Sequence, residues 1–212
     1  MSEKLTLFYK KDCPFCVKVL LAITANRVTN NFNYVEKQDV PSQHRPHIAT
    51  YPTLLKNNEY TNESDIIVEL LKKDKFLKTI NYYYNTEDLE FLNKELIRDW
   101  IESIEFLYLS QFHSAMVNEP DLKHKLNPHV SEAKPNQKLA EVEKYILKRE
   151  KELNTIEDLR EDDFIIAAGL GVGVGRTSRK LFGLIITEGV TRYLSKVLKM
   201  IKEETGVEIK LA

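Results

Sequence analysis

Along the first seventy positions the apolar residues switch between a two-residue and a three-to-four-residue period. Leu5-Thr6-Leu7-Phe8-Tyr9 has the apolar and aromatic make-up of a short buried strand. Lys10-Lys11-Asp12 breaks it, and Val17, Leu20, Leu21 and Thr24 then recur at helical spacing, with Lys18 offset from them. After the break at Thr29-Asn30-Asn31, Phe32-Asn33-Tyr34-Val35-Glu36 alternates as a second strand. Strand, helix, strand is the start of a parallel βαβ unit. The stretch from Val40 to Thr50 carries Pro41 and Pro46, so any helix there is short or irregular. His44 and His47 within it have no partner at a telling spacing and read as solvated rather than catalytic. Thr50-Tyr51-Pro52-Thr53-Leu54-Leu55 reads as a strand opened by a proline, Lys56-Asn57-Asn58-Glu59 as a turn, and Tyr60 as part of a short last strand. Asn62-Glu63-Ser64-Asp65 supplies polar residues suited to cap a helix through Ile66-Ile67-Val68-Glu69-Leu70-Leu71.

Beyond this the pattern changes. Lys72 to Asn85 is a charged boundary ending in Tyr82-Tyr83-Tyr84, which cannot all face one core. From Thr86, Leu89, Leu92, Leu96, Trp100, Ile104 and Leu107 form one long helical stripe, read as core packing. Residues 119–135, with three prolines, read as a loop, and Leu139, Val142, Ile146 and Leu153 as a second amphipathic helix. Residues 1–75 are therefore expected to form an α/β domain, 76–86 a linker, and 87–212 an all-helical domain. Gly169, Gly171, Gly173 and Gly175 lack the Gly-Lys-Ser/Thr ending of a phosphate loop, since position 176 is Arg. They read as small residues that admit a neighbouring element. Leu181 to Lys202 reads as the final helix.

The chemistry sits in Cys13-Pro14-Phe15-Cys16, which holds the only two cysteines of the 212 residues. Its place between strand and helix puts Cys13 at the first helical turn, with Pro14 at an early helical position. Free backbone N–H groups and the helix dipole favour a thiolate there, Lys10 and Lys11 add to this, and Asp12 opposes it. Such thiolates titrate at roughly 3.5–7.5 rather than near 8.5. Cys16, one turn along, is expected to be less exposed and able to attack a mixed disulfide on Cys13. Zinc would need four ligands, and five scattered histidines offer no second pair, so no metal is expected. A structural disulfide or two inert core cysteines are the other readings, both less suited to this setting.

Charge narrows the field further. With 31 basic and 32 acidic residues there is no bulk field to recruit nucleic acid or an anionic membrane. No apolar run approaches the ~20 residues that span a bilayer. The first residues lead directly into the strand without a charged leader and apolar signal core, so a cytoplasmic protein is expected.

Cys-Pro-Phe-Cys after a short strand, Tyr-Pro-Thr-Leu before another, and Glu-Ser-Asp-Ile-Ile opening a helix together resemble the thioredoxin-fold domain of glutaredoxins and glutathione transferases. A helical half containing Leu159-Arg160-Glu161-Asp162-Asp163-Phe164 before a long apolar helix is similar to the two-domain glutaredoxin 2 family. The resemblance implies an N-terminal thioredoxin-fold domain, a helical glutathione transferase-like C-terminal domain, and glutathione as co-substrate. It implies Cys13 and Cys16 as the redox pair, a cis peptide before Pro52, and Tyr51 offering its backbone to the cysteinyl part of glutathione. Glu63 and Ser64 would hold the γ-glutamyl end, with Glu63 or Asp65 balancing its ammonium; Lys10 and Phe15 would complete the glutathione site. Glutathionylated or disulfide-bonded proteins would be the partners of a monomer. One departure stands out: the family places Ser or Thr three residues before the second Asp, and here that position is Arg160. Two rival readings remain, a glutathione transferase conjugating electrophiles and a non-enzymatic interaction module of the same fold.

Overall fold

The computed structural model describes residues 5–77, 97, 137–176 and 187–210. The expected linker beyond residue 77, the tyrosines at 82–84, the stripe at 89–107 and the loop at 119–135 lie outside the described residues, as do Gly173 and Gly175 beyond their helical backbone. Ile97, helical and buried, is the described exception.

The N-terminal part is a four-stranded sheet in the order β2-β1-β3-β4. Strands β1 (Leu5–Tyr9) and β2 (Phe32–Glu36) are parallel and joined through helix α1 (Pro14–Ala25). Strand β3 (Thr53–Lys56) runs antiparallel to β1 and to β4 (Glu59–Asn62), with Leu7 opposite Leu54 and Thr53 opposite Asn62. Helix α2 (Ser64–Lys73) follows β4. Two-residue alternation decides what each face of β1 covers. Leu5, Leu7 and Tyr9 join the main core with α1, Leu54 and Ile67. Phe8 points to the other face, under the irregular segment 37–50 with its short 3-10 turns at Lys37–Asp39 and Arg45–His47.

On that second face His47 is exposed, as expected, and His44 half-buried, and both also meet Tyr60. His44 Nδ1 lies 2.7 Å from the Tyr60 hydroxyl, and the His47 ring stacks on Tyr60 at a centroid distance of 4.6 Å. Both cover the phenol beside Phe8, a contact between residues sixteen and thirteen positions apart that sequence spacing does not reveal.

The described helices of the C-terminal part are α3 (Gln137–Glu152), α4 (Glu161–Arg176) and α5 (Glu188–Thr205). Helix α1 lies between the sheet and this part, packing on α4 and α5, and the buried apolar residues of both parts form one continuous cluster. Ion pairs Arg27–Glu157 and Lys72–Glu161 cross the same boundary. The final helix starts later than its apolar pattern suggests, because Thr187 is extended (φ −60°, ψ 151°) and stands at its N-cap. It also runs past Lys202, to a left-handed Gly206 that closes it.

The departure at Arg160 has a structural answer. With no hydroxyl at that position, the Asp163 carboxylate reaches back to accept the Arg160 backbone N–H at 2.8 Å. This is the N3-to-N-cap half of a capping box, working without the other half. A complete box, from Thr155 and Asp158, closes the 3-10 turn just before it. Asp163 is fully buried, and so is Arg149, whose Nε and Nη2 donate to its two oxygens at 3.2 and 2.7 Å. The Tyr193 hydroxyl donates to Asp163 at 2.8 Å, which ties α3, α4 and α5 to one carboxylate.

Gly169 on α4 gives the glycine segment a physical account at one position. A Cβ there would come within 2.9 Å of Ile97 Cβ and Cγ2, so the absent side chain permits close approach. Thr24 on α1 is the opposite case, a fully buried hydroxyl with no hydrogen-bond partner among the described residues. Thr24→Val replaces it with a methyl group of similar shape and should stabilise the fold by about 1 kcal/mol. For a chain of this size that is a rise of about 2–4 °C in Tm; a lowered Tm on thermal unfolding would contradict it.

Candidate functional site

The site begins with a turn. Lys10 C=O accepts the Cys13 N–H at 3.2 Å, so residues 10–13 form a β-turn that carries the chain from β1 into α1. Cys13 is the N-cap of α1 and Pro14 follows at its first helical position. The Cys13 sulfur accepts the Cys16 backbone N–H at 3.3 Å, in the way a cap side chain satisfies a free helix donor. The hydrogen bond from Cys16 and the N–H groups of Cys16 and Phe15 lower the Cys13 thiol to about 7 against the opposing effect of burial, with Lys10 adding a smaller pull. Cys16 is fully buried, and burial, followed by the nearby Cys13, pushes its thiol far up.

The Cys13 sulfur also lies 3.2 Å from the Tyr51 carbonyl oxygen, and its S–H donates there when protonated. That carbonyl belongs to the Tyr51–Pro52 peptide, which is cis. Pro52 is buried and Tyr51 half-buried. From here the loop connects to α2. Thr53 Oγ1 lies 2.7 Å from Asn62 Oδ1, and Thr50 donates its hydroxyl to Glu63 Oε1 at 3.4 Å. The structure thus brings Cys13 to Tyr51 of the cis-proline loop, and Thr50 of the same loop joins it to Glu63 just before Ser64.

The start of α2 differs from the expected cap. Glu63 occupies the N-cap with φ 71° and makes no side-chain cap bond, and Ser64 is the first helical residue, buried. The expectation that polar side chains cap this helix is therefore corrected: the left-handed backbone at Glu63 turns the chain into the helix with no cap bond made. Asp65 pairs with Lys18 across α1 and α2, with Lys18 largely buried and Asp65 exposed. Phe15 is 40% exposed beside the cysteines.

Lys10 does not lie alone. It shares an open groove of about 630 Å³ with Lys11, Asp12, Glu36, Arg45 and Tyr51, among others. Lys10 pairs with Asp12 at 3.0 Å on the exposed surface, and Lys11 with Glu36 at 2.6 Å. Arg45 was not singled out in the sequence. It donates Nε to the Val40 carbonyl at 3.0 Å and acts electrostatically on the Tyr51 phenol. The only signal for it was a basic residue in the irregular stretch before the proline loop. Among the described residues no cluster of three or more His, Cys, Asp or Glu could hold a metal ion, and no helix is long and apolar enough to cross a membrane.

No protein-family model matches the chain, and no curated protein matches it either. Solved structures do. A glutathione S-transferase from Actinobacillus pleuropneumoniae superposes with a TM-score of 0.51 at 17% identity, over 98% of this chain and 95% of that one. A glutathione S-transferase from Methylobacterium radiotolerans, in complex with glutathione sulfonate, superposes with a TM-score of 0.50 at 15% identity, over 98% and 96%. The fold is glutathione transferase-like. Such a fold pairs a mixed-sheet N-terminal region of thioredoxin type with a helical C-terminal region, and both regions are present here. At these identities the likeness is one of fold, and function has to be argued from the site.

Proposed function

We propose that this protein is a glutathione-dependent thiol–disulfide oxidoreductase of the two-domain glutaredoxin kind. The observation that carries the reading is the paired sulfur geometry: Cys13 capping α1 with its thiol lowered to about 7, and Cys16 buried behind it. The Cys13 thiolate attacks the glutathione sulfur of a protein–glutathione mixed disulfide. The S–S bond breaks, the protein thiolate leaves, and Cys13 carries the glutathione. A second glutathione thiolate attacks that sulfur, releases glutathione disulfide and restores the Cys13 thiolate. With a protein disulfide, Cys16 resolves the mixed disulfide on Cys13 instead. Its thiol is held up in part by the adjacent Cys13 charge, which disappears once Cys13 is in a disulfide. Deprotonation of Cys16 then becomes easier at the moment it is needed.

Support for glutathione as the co-substrate comes from the neighbour in complex with glutathione sulfonate and from the donors available here. Backbone N–H groups at the start of α2, with Ser64, suit the γ-glutamyl carboxylate. Asp65 is engaged by Lys18, which leaves Glu63 for the ammonium. Tyr51 offers its backbone to the cysteinyl part, Phe15 flanks it, and the groove of Lys10 and Arg45 takes the glycyl carboxylate. Because Ser64 is the first helical residue of α2 and not its N-cap, Ser64→Ala should raise the glutathione KM several-fold while leaving Tm close to wild type. A loss of about 1 kcal/mol with an unchanged KM would return Ser64 to a purely structural role.

The transferase neighbours favour a second reading, conjugation of glutathione to electrophiles. One pair of assays separates the two. Reduction of a glutathionylated peptide by glutathione should be fast, and conjugation of chlorodinitrobenzene slow or absent. The reverse result would replace the oxidoreductase with a transferase.

A further inference from the structure

The turn that presents Cys13 is held from outside by the far end of the chain. Gly206 ends α5, and residues 207–210 then run with Val207 and Ile209 buried and Glu208 and Lys210 exposed. The two apolar side chains belong to the same buried cluster as residues of α1 and β1. Exposed pairs from Glu208 to Lys202 at 3.0 Å and to Lys210 at 3.9 Å run along the outer side. The Lys210 backbone N–H donates to the Lys11 carbonyl at 2.8 Å.

That acceptor has a particular place. In the turn closed by Lys10 C=O and Cys13 N–H, Lys11 and Asp12 are the two central residues, so the Lys11 carbonyl belongs to the middle peptide. The orientation of this peptide distinguishes the two common turn types. Asp12 does not have the positive φ that the flipped form requires, although aspartate tolerates that conformation better than most residues. A hydrogen bond to the middle carbonyl therefore selects one of two accessible turn geometries. Lys11 is fixed at its other end as well, by its ammonium on Glu36 of β2.

We propose that residues 207–210 form a positioning strap whose Lys210 N–H locks the middle peptide of the 10–13 turn and so keeps the Cys13 sulfur aligned with the N-terminus of α1. The proposal rests on Cys13 being the reactive thiol. It gives the C-terminal segment a role in the chemistry of a site some two hundred residues away, through an intervening backbone bond and with no contact to the ligand. Val207 and Ile209 hold the strap down, and the N–H of Lys210 does the positioning. The side chain of Lys210, exposed, has no part in it.

The test uses the full chain. Lys210→Pro removes the N–H, Lys210→Ala retains it, and Val207→Ser with Ile209→Ser loosens the anchors while leaving the donor in place. Alkylation of Cys13 by iodoacetamide, assigned by mass spectrometry, is followed across pH together with Tm. Lys210→Pro should slow alkylation at pH 7 by about threefold or more and move its midpoint upward, with Lys210→Ala close to wild type. The double variant should show the same slowing, which keeps the test decisive if the proline variant does not fold. A folded Lys210→Pro with wild-type rate and midpoint overturns the strap, even if its Tm falls, because a merely structural tail changes Tm alone. Equal slowing in Lys210→Ala overturns it too, by assigning the effect to side-chain charge. A wild-type Cys13 that reacts like an ordinary thiol removes the underlying reading, and the strap with it.

Discussion

Cys13→Ser should abolish every thiol-exchange reaction of this protein, while Cys16→Ser should keep reduction of glutathione mixed disulfides and lose most reduction of protein disulfides. The asymmetry follows from position. Cys13 caps α1 and is lowered to about 7, so near neutral pH about half of it is thiolate. A serine hydroxyl in the same place could still accept the Cys16 N–H, which preserves the cap and the fold, but it offers no sulfur to exchange. Cys16 is fully buried and its thiol lies far above the usual range, so it cannot begin a reaction on an external disulfide. It can only finish one that Cys13 has begun. Alkylation of wild type should accordingly rise with pH around a midpoint near 7 and label Cys13 first. The reverse pattern, with Cys16→Ser inactive in monothiol exchange and Cys13→Ser active, would overturn the assignment.

Asp163→Ala should be the most damaging single substitution outside the site. Three groups lose their acceptor together: the buried Arg149 guanidinium, the buried Tyr193 hydroxyl and the Arg160 N–H at the start of α4. Arg149 keeps its pair with Glu152 at 2.7 Å and its bond to the Asp158 carbonyl, but losing the fully buried partner of an ion pair still costs about 3–5 kcal/mol. At roughly 2–4 °C per kcal/mol this lowers Tm by about 6–20 °C. The pair itself need not be stabilising relative to apolar residues. Arg149→Met combined with Asp163→Leu should therefore lose clearly less than the sum of the two single variants. Chemical denaturation of the three variants measures this, and a loss below about 1 kcal/mol for Asp163→Ala would show that water replaces the carboxylate.

The placing of Cys13 at a helix start was legible because its logic is local. A strand, a polar break and a helix lie within residues 5–25, and the cysteine at the break stands at the N-cap of that helix. The presence of β2, of β4 around Tyr60 and of helices α3 and α5 was likewise local, read from residue type and period, although α5 starts later than expected. The cis peptide before Pro52 came from the resemblance to known domains, since residue pattern alone favours trans.

What sequence could not supply were contacts between residues far apart in the chain, because no period or spacing connects them. Arg45 enters the groove only because the irregular segment after β2 folds back beside Tyr51. His44 and His47 found Tyr60 because β4 is placed at the edge of the sheet beside β3, a matter of strand order. The missing hydroxyl at position 160 was visible, but not that Asp163 would cap in its stead while also receiving Arg149 and Tyr193. Residue types and periods determined the elements and the place of Cys13 at the start of α1. Tertiary packing decided which carbonyl, carboxylate and backbone N–H each would meet, because hydrogen bonding depends on position to a fraction of an ångström and chain proximity sets that only over a few residues.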